Sequence, residues 1–178
     1  RWRFFWRRWR LGGLVMKRLL KNIFAGWFRM SSWFPATTLT HIRDVIREGE
    51  RNHAGEICFA VEARFSFWSV LNGLQTRNRA HQLFSMLRVW DTQDNSGVLL
   101  YMHLAEHRVE LIADRGIAAR VDTAQWQKIC DELTSDIKDG PADVAVLACI
   151  AKINNLLSVH FPAHEDNPRE LPDEPVVL

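Results

Sequence analysis

Cysteine is scarce in this sequence, and its spacing excludes the common disulfide and zinc frameworks. The three cysteines, Cys58, Cys130 and Cys149, lie far apart in apolar stretches and show no C-x-x-C spacing. Free cysteine is among the most buried residue types in proteins. We therefore expect three buried thiols in a reducing compartment, the cytoplasm, and no requirement for a disulfide or a metal in folding.

The signatures of several large enzyme classes are also missing. The sequence has no G-x-S-x-G nucleophile elbow, no glycine-rich phosphate-binding loop, no H-E-x-x-H pair and no dinucleotide-binding fingerprint. Of the histidines, His103 and His107 lie close together, and their spacing favours packing for the first and solvent contact for the second. These absences argue against the corresponding enzyme classes, but they leave open whether the chain is an enzyme.

Acidic residues are absent from the first 34 residues of the chain. This segment carries seven Arg and two Lys, a charge of +9, whereas the rest of the chain carries −7, and it holds five of the eight Trp. The contrast predicts a basic, aromatic N-terminal segment at residues 1–34 and a globular domain at residues 35–161. Residues 162–178, rich in Pro and acidic residues, are predicted to be a disordered tail.

The N-terminal segment contains an amphipathic helix in its second half. From Met16 to Phe28 the apolar residues recur at steps of three and four, with Arg18 and Asn22 on the opposite face. Such a helix could lie on an anionic membrane surface at the inner face of the membrane, or pack its apolar stripe onto the domain or a partner. Whether the residues before Met16 belong to the native chain stays open.

Other roles for the basic segment have less support in the sequence. Its apolar run, residues 11–16, is too short for a signal peptide, and no window of about 18 residues lacks a charge, which excludes a spanning helix. Arg and Trp can bind phosphates and bases, but no nucleic-acid-binding motif is present and the following domain is acidic. The sequence therefore argues against nucleic acid as a partner.

The apolar spacing beyond residue 35 predicts the order helix, strand, helix, hairpin, helix, helix. A small central mixed β-sheet, sandwiched by helices and containing an antiparallel hairpin, accounts for this order and places the domain in the α/β class. The predicted helices cover residues 37–51, 79–90, 122–138 and 141–161, and the predicted strands cover residues 57–61, 98–105 and 109–113.

Four blocks of the sequence resemble successive blocks of TPM domains. They are GEICFAVE at residues 55–62, LF to WD at residues 83–91, NSGVLLY at residues 95–101 and VELIADRGI at residues 109–117. Their order and spacing resemble the short bacterial members that lack a signal peptide. The resemblance implies a few strands between helices, and an acidic depression for which divalent-cation binding and a weak phosphatase activity have been proposed in some members.

The sequence departs from the TPM pattern at one pair of residues. Where many members have Asp-Asn before Gly-Val-Leu, this chain has Asn95 and Ser96. The change removes one carboxylate from the motif most often linked to a metal, and it argues against a strong metal site.

The hairpin nevertheless predicts that two acidic turns meet. If the hairpin turns around His107, paired residue numbers sum to about 214, so the loop that precedes Gly97 and the turn after residue 113 lie at one end of the sheet. A strand that ran parallel to the second hairpin arm would bring Glu62 to the same place. The candidate calcium or magnesium ligands are Asp91, Asp94, Asn95, Asp114 and Glu62.

An alternative explanation needs no metal, because Asp and Asn are common in turns, where their side chains bond to nearby backbone. No nucleophile with a neighbouring base accompanies the acidic residues, so the catalytic residues stay unknown. The sequence supports two functions. One is a non-catalytic binding or scaffolding domain, held near a membrane and working with protein partners; the alternative is a divalent-metal-dependent phosphatase. The Asn95 and Ser96 pair favours the first.

Overall fold

A computed structural model of the chain describes residues 13, 15–22, 26–163 and 169–178. The helices are α1 (residues 15–22), α2 (Gly26–Trp33), α3 (Ala36–Gly49), α4 (Phe67–Leu71), α5 (Thr76–Met86), α6 (Arg115–Ala118), α7 (Thr123–Asp139) and α8 (Ala142–His160). The strands are β1 (Glu56–Glu62), β2 (Gly97–His103), β3 (Arg108–Ala113) and β4 (Val176–Val177). Most of the Arg- and Trp-rich start of the chain, and predicted helix positions 23–25, lie outside the described residues.

The sheet is mixed and has the strand order β3-β2-β1-β4. Strand β1 runs parallel to β2 and to β4, whereas β2 and β3 form the predicted antiparallel hairpin. Every residue of β1 and β2 is buried, as expected for continuous apolar runs that are covered on both faces. The predicted α/β architecture, with a mixed sheet between helices, is therefore confirmed.

Alternate residues of β1 enter two separate hydrophobic clusters, one on each face of the sheet. Phe59 packs on the face covered by α2, α3, α7 and α8, together with the fully buried Ile46 and Ile150. Cys58 faces α5 and packs near Leu83. Full burial of one such aliphatic or aromatic side chain contributes about 1.5–3 kcal/mol, so both clusters contribute to stability. The three cysteines are buried free thiols, as predicted.

The register of the hairpin differs from the predicted one by three residues. Val98 lies opposite Ala113, so paired numbers sum to 211 and the hairpin is centred before residue 106. The apolar Leu104 and Ala105 resemble a continuation of the strand in the sequence, but their amides donate to the carbonyl groups of Glu62 and Ala63 at 3.0 and 3.1 Å. These two residues therefore do not pair with β3. They lie beside the end of β1 and the residue that follows it.

Two short helices were not predicted, and one predicted helix begins and ends too late. Helix α4 lies between the first predicted strand and the second predicted helix, and α6 follows β3 directly. Helix α5 ends at Met86, and Arg88 has a φ of 55°. The apolar spacing continues past the end of the helix to Trp90, which is 49% exposed. Helix α7 is capped by Asp122, whose side chain accepts a hydrogen bond from the Ala124 amide at 2.9 Å.

The C-terminal segment differs from the disorder expected of its composition. Residues 169–178 lie along the sheet, with Val176 paired to Ala60 in β1. Leu171 and Val176 pack against the α5-side cluster, so this segment gains burial that its Pro and acidic content did not suggest. Residues 164–168 lie outside the described part of the chain.

Helix α8 passes the length and composition test for a membrane-spanning helix, and it alone does so among the described residues. Its Ile150, Ile153 and Leu157 are fully buried in the core that it shares with α3 and α7. A helix with this pattern of contacts is the core helix of a globular domain.

Candidate functional site

The two predicted turns meet where β2 begins and β3 ends. The Asp114 amide donates to the Gly97 carbonyl at 2.8 Å, and the Gly116 amide donates to the Asn95 carbonyl at 3.1 Å. The sequence therefore predicted the right neighbours from a shifted register. A shift of three residues moves the pairing along the strands but leaves both turns at the same end of the sheet.

Two glycines allow this close approach of the backbones. A Cβ atom on Gly97 would lie 1.8 Å from the Val89 carbonyl oxygen, and one on Gly116 would lie 2.4 Å from the Asp94 carbonyl oxygen. Both contacts are with backbone atoms, which cannot rotate away as the end of a side chain can. A larger residue at position 116 would therefore separate the two turns, and one at position 97 would displace the start of β2 from Val89.

Asp114 is the most enclosed of the four acidic-turn candidates. Its Oδ1 accepts a hydrogen bond from the Arg115 amide at 2.7 Å and caps α6, while the residue is 9% exposed. Its Oδ2 is buried and receives no hydrogen bond from the described residues. Capping fixes one carboxylate oxygen of Asp114, and the second oxygen is buried.

Two of the three neighbouring candidates, Asp91 and Asn95, contact cationic side chains of the protein itself. Asp91 forms an exposed ion pair with Arg88. Asn95 has a φ of 53°, and its Oδ1 accepts a hydrogen bond from Arg115 Nε at 2.7 Å. Asp94 is exposed. Guanidinium groups thus occupy oxygen atoms that a bound cation would need.

Glu62 lies at the opposite end of the sheet, so its predicted place among these residues is wrong. Strand β1 runs parallel to β2, not to β3, and Glu62 pairs with His103 at the far end of β2. Its carboxylate accepts hydrogen bonds from Arg79 Nε at 2.9 Å and from the Tyr101 hydroxyl at 2.6 Å. Glu62 therefore belongs to a structural network between β1, β2 and α5.

The donor set does not fit calcium or magnesium. Among the described residues, no group of three or more His, Cys, Asp or Glu side chains could hold a metal ion. Calcium takes six to eight oxygen ligands and magnesium needs near-ideal octahedral geometry. Asp114 offers one buried oxygen, while Asp91 and Asn95 are engaged by arginines. We therefore derive no metal-assisted step from this cluster.

The two neighbouring histidines have the roles that the sequence favoured. His103 is fully buried, its ring centroid lies 3.9 Å from that of Phe65, and its Nδ1 accepts a hydrogen bond from the Glu106 amide at 3.1 Å. Burial lowers the pKa of His103 to about 4. The ring is neutral near pH 7 and serves packing, whereas His107 is exposed at the tip of the hairpin.

A second acidic cluster was missed, and it is more buried than the first. Glu50, Glu56 and Asp173 are only 5%, 2% and 8% exposed. Glu50 Oε1 accepts a hydrogen bond from the Ile57 amide at 2.9 Å, and Glu56 Oε2 accepts one from the Leu171 amide at 3.1 Å. Glu56 stands in an apolar strand, a signal that could have found it. Asp173 lies in the presumed tail, where composition hid it.

Burial raises the pKa of both glutamates in this cluster. The pKa of Glu50 rises to about 8, first because the carboxyl is buried and then because Glu56 and Asp173 lie nearby. The pKa of Glu56 rises to about 7, again mainly through burial. Asp173 also forms an ion pair with Arg47 at 3.4 Å. At neutral pH this cluster holds fewer negative charges than its three carboxyl groups suggest.

The other notable surface is formed by α1 and α4. Its exposed apolar residues are termed the α1–α4 surface: Met16, Leu20, Phe67, Trp68 and Leu71. The two helices share a small buried cluster that includes one leucine of α1 and one valine of α4. Trp68 is 70% exposed, and its ring lies edge-on to that of Phe67 with centroids 5.6 Å apart.

Helix α1 does not bury the predicted apolar stripe at the two positions of that stripe that the structure describes. Its inward side is mixed, because Leu19 is buried beside Phe65 and Asn22 Oδ1 accepts a hydrogen bond from the Phe65 amide at 2.7 Å. Arg18 Nε donates to Glu106 Oε1 at 2.6 Å. Met16 and Leu20, from the predicted apolar stripe, are 58% and 49% exposed. Polar contacts and the buried Leu19 therefore attach α1 and leave the two described residues of the predicted stripe, Met16 and Leu20, outside.

Comparison with known proteins supports a family assignment. The TPM domain profile matches residues 30–156. The chain is similar to the BA42 protein from the psychrophilic bacterium Bizionia argentinensis, with 25% identity and a TM-score of 0.71 over 80% of this chain and 93% of that one. It shares its fold with the N-terminal domain of a protein from P. gingivalis, with 16% identity and a TM-score of 0.55 over 75% and 85% of the two chains.

No curated protein matches the chain. The profile match covers well over half of the chain and includes β1, β2 and β3, together with the two turns that meet beside Asp114. The chain therefore belongs to the TPM domain family.

Proposed function

We propose that this protein is a non-catalytic binding domain that attaches to an anionic membrane surface through the α1–α4 surface. The observation that carries the proposal is the exposure of Met16 and Leu20 on α1 and of the two rings on α4, two helices that meet through Leu19 and Val70. Exposed apolar side chains on neighbouring elements can mark an interaction site. The proposal places the protein in the cytoplasm, at the inner face of the membrane.

The basic residues around the α1–α4 surface favour an anionic lipid surface as its binding partner. Lys17 and Lys21 are exposed on α1, Arg64 is exposed before α4, and residues 1–34 contain no acidic residue. Tryptophan and phenylalanine bind well at the boundary between lipid head groups and acyl chains, and basic residues are attracted to anionic lipids. An apolar patch with a basic border therefore complements an anionic bilayer.

The size of the surface fits a reversible attachment. Each basic residue near an anionic surface contributes about 1 kcal/mol. Full burial of a large apolar side chain contributes about 1.5–3 kcal/mol, and partial insertion contributes less. Trp68 and Phe67, each half inserted, together with Lys17 and Lys21, give roughly 4 kcal/mol, which corresponds to weak binding. The basic residues that precede α1 would add to this attraction.

The alternative function, a divalent-metal-dependent phosphatase, has less support. Asp91 and Asn95 are bound by arginines, and Glu62 lies at the other end of the sheet. The polar residues of the two turns instead have structural roles. Asp114 caps α6, and Ser96 Oγ donates to the Ala54 carbonyl at 2.8 Å. These contacts hold the start of β2 to its neighbours without any cation.

Vesicle flotation of the full chain tests the proposal. We expect binding to vesicles that contain phosphatidylglycerol, little binding to pure phosphatidylcholine, and a loss of binding with added salt, because salt screens exposed charges. Trp68→Ser should weaken binding to anionic vesicles by about tenfold, since it removes the most exposed inserted side chain.

The matched control is Trp90→Ser, which makes the same change at a 49% exposed tryptophan outside the α1–α4 surface. Lys17→Glu with Lys21→Glu should also weaken binding, because the border of the patch changes sign. Equal flotation of the wild type, Trp68→Ser and Trp90→Ser proteins would contradict the proposal, since any binding would then arise elsewhere.

A further inference from the structure

The edge of the sheet beside β1 is closed by residues that lie outside the family match. The TPM domain profile ends at residue 156, whereas β4 is formed by Val176 and Val177. Without β4, strand β1 would be an edge strand whose unpaired backbone groups can pair with another extended chain. The C-terminal segment, residues 169–178, thus occupies a position at which another strand could be added.

We propose that this edge of β1 is a binding site for an extended acidic peptide segment of a partner protein, which the C-terminal segment covers in the free chain. Peptides commonly bind by adding a strand to an exposed sheet edge, with main-chain hydrogen bonds for affinity and side-chain pockets for specificity. This site is separate from the α1–α4 surface, and the inference does not rest on membrane binding.

The C-terminal segment shows the backbone contacts that such a peptide would make. The Leu178 amide donates to the Val61 carbonyl at 2.9 Å, and the Ala63 amide donates to the Leu178 carbonyl at 3.1 Å. Paired residues of β1 and β4 are limited to Ala60 with Val176 and Val61 with Val177. This short ladder is a small contact, so a longer peptide that paired further along β1 could displace it.

Side chains of the segment define the sequence that the site accepts. Leu171 and Val176 pack on the cluster that contains Cys58 and Ala60 of β1, whereas Val177 is 48% exposed. The side chains of successive strand residues point to opposite faces of the sheet. A substitution at Val176 therefore affects the α5-side cluster, whereas the same substitution at Val177 affects the other face. A partner peptide therefore needs apolar residues at the positions of Leu171 and Val176.

Polar contacts add a preference for acidic residues. The Glu170 carboxylate accepts hydrogen bonds from the Gln93 amide at 2.9 and 3.1 Å. Asp173 pairs with Arg47 at 3.4 Å, and the Leu171 amide donates to Glu56 Oε2 at 3.1 Å. A backbone amide and an arginine thus receive carboxylates on either side of the leucine. An acidic residue before it completes the recognised pattern, whereas an acidic residue two positions after it pairs with Arg47 but also lies beside Glu50 and Glu56.

A labelled peptide with the sequence of residues 169–178 tests the inference on the full chain. Val176→Asp in the protein should release its own segment, because a charge would enter the apolar cluster. The apparent affinity for the peptide falls with the fraction of protein whose site is open, so release should strengthen peptide binding by about tenfold relative to wild type. Val177→Asp is the matched control and should bind the peptide as the wild type does.

Hydrogen exchange shows whether a variant releases its C-terminal segment, and thermal unfolding shows whether the variant still folds. Faster exchange at Val61 and Ala63 with unchanged exchange in β2 should accompany Val176→Asp. If that variant does not fold, Leu171→Ala provides a milder release and should raise the peptide affinity in the same direction. Peptide that binds none of the variants, or binds Val177→Asp as tightly as Val176→Asp, overturns the inference. Wild-type dimers that exchange their C-terminal segments would assign the site to a second copy and would also overturn it.

Discussion

The buried carboxyl group of Glu50 predicts an unusual dependence of stability on pH. Its folded-state pKa is raised to about 8 from the ordinary value of 4.5. A raised pKa in the folded state means that the folded protein binds the proton more tightly than the unfolded chain. Its contribution is therefore fully present below about pH 4.5, and it is lost as the pH rises through about 8.

The magnitude follows from the pKa difference, since each unit is worth about 1.36 kcal/mol. Between pH 5 and pH 8 the unfolded chain has released this proton while the folded protein largely keeps it, which costs roughly 3 kcal/mol of unfolding free energy. Glu56, whose pKa is raised to about 7, adds a loss of the same sign that is complete at a lower pH.

Glu50→Gln isolates the contribution of this residue. The amide keeps an oxygen that can accept from the Ile57 amide, stays neutral at every pH, and offers an N–H to the nearby Asp173. We expect the unfolding free energy of this variant, measured by urea denaturation, to fall less between pH 5 and pH 8 than that of wild type. Between pH 5 and pH 8 the wild-type protein should lose about 3 kcal/mol more unfolding free energy than Glu50→Gln.

The control for this experiment is Glu48→Gln, which changes an exposed glutamate two residues earlier in α3. Its side chain is 68% exposed and pairs with Arg51, so its removal should leave the slope with pH unchanged. Parallel curves for wild type and Glu50→Gln from pH 5 to pH 8 would refute the reasoning, because the buried carboxyl would then not carry the titration.

Two further predictions concern packing. Gly97→Ala should destabilise the domain by roughly 3 kcal/mol or more in urea denaturation, because the new Cβ meets the backbone of Val89, whereas Gly140→Ala, which meets its nearest atom at 3.6 Å, should change stability by far less; similar losses for both would show that the close approach is not needed. The three cysteines, whose thiol pKa values burial raises to about 11 or 12, should react with a thiol reagent only after unfolding, and rapid labelling of the native protein would contradict their burial.

Much of the sheet could be predicted because its strands carry their signal locally. The apolar run of β1 and the hairpin with apolar arms identify buried strands without knowledge of the partners. The exact register could not be predicted, because Leu104 and Ala105 look like strand residues although their amides bond to the carbonyls of Glu62 and Ala63. Register depends on those long-range contacts, which periodicity does not contain.

The candidate sites show the same limit. Asp114 and Asn95 could be brought together by reasoning about one hairpin, whereas placing Glu62 required the direction of β1 relative to β2. The placement of α1 depends on the contacts of Leu19, Asn22 and Arg18 with distant residues, so helical periodicity could not show which apolar residues stay exposed. The composition of residues 169–178 likewise cannot show that this segment pairs with the edge of β1.

Hydrogen exchange of the full chain with and without anionic vesicles tests the central claim most directly. If the α1–α4 surface binds the membrane, peptides covering residues 15–22 and 66–72 should exchange more slowly with phosphatidylglycerol vesicles, while the acidic turn at residues 91–96 should be unchanged. Phosphatidylcholine vesicles should have no effect. Slowing that is absent, or that is confined to residues 1–12, would contradict the claim that the folded domain contributes the binding surface.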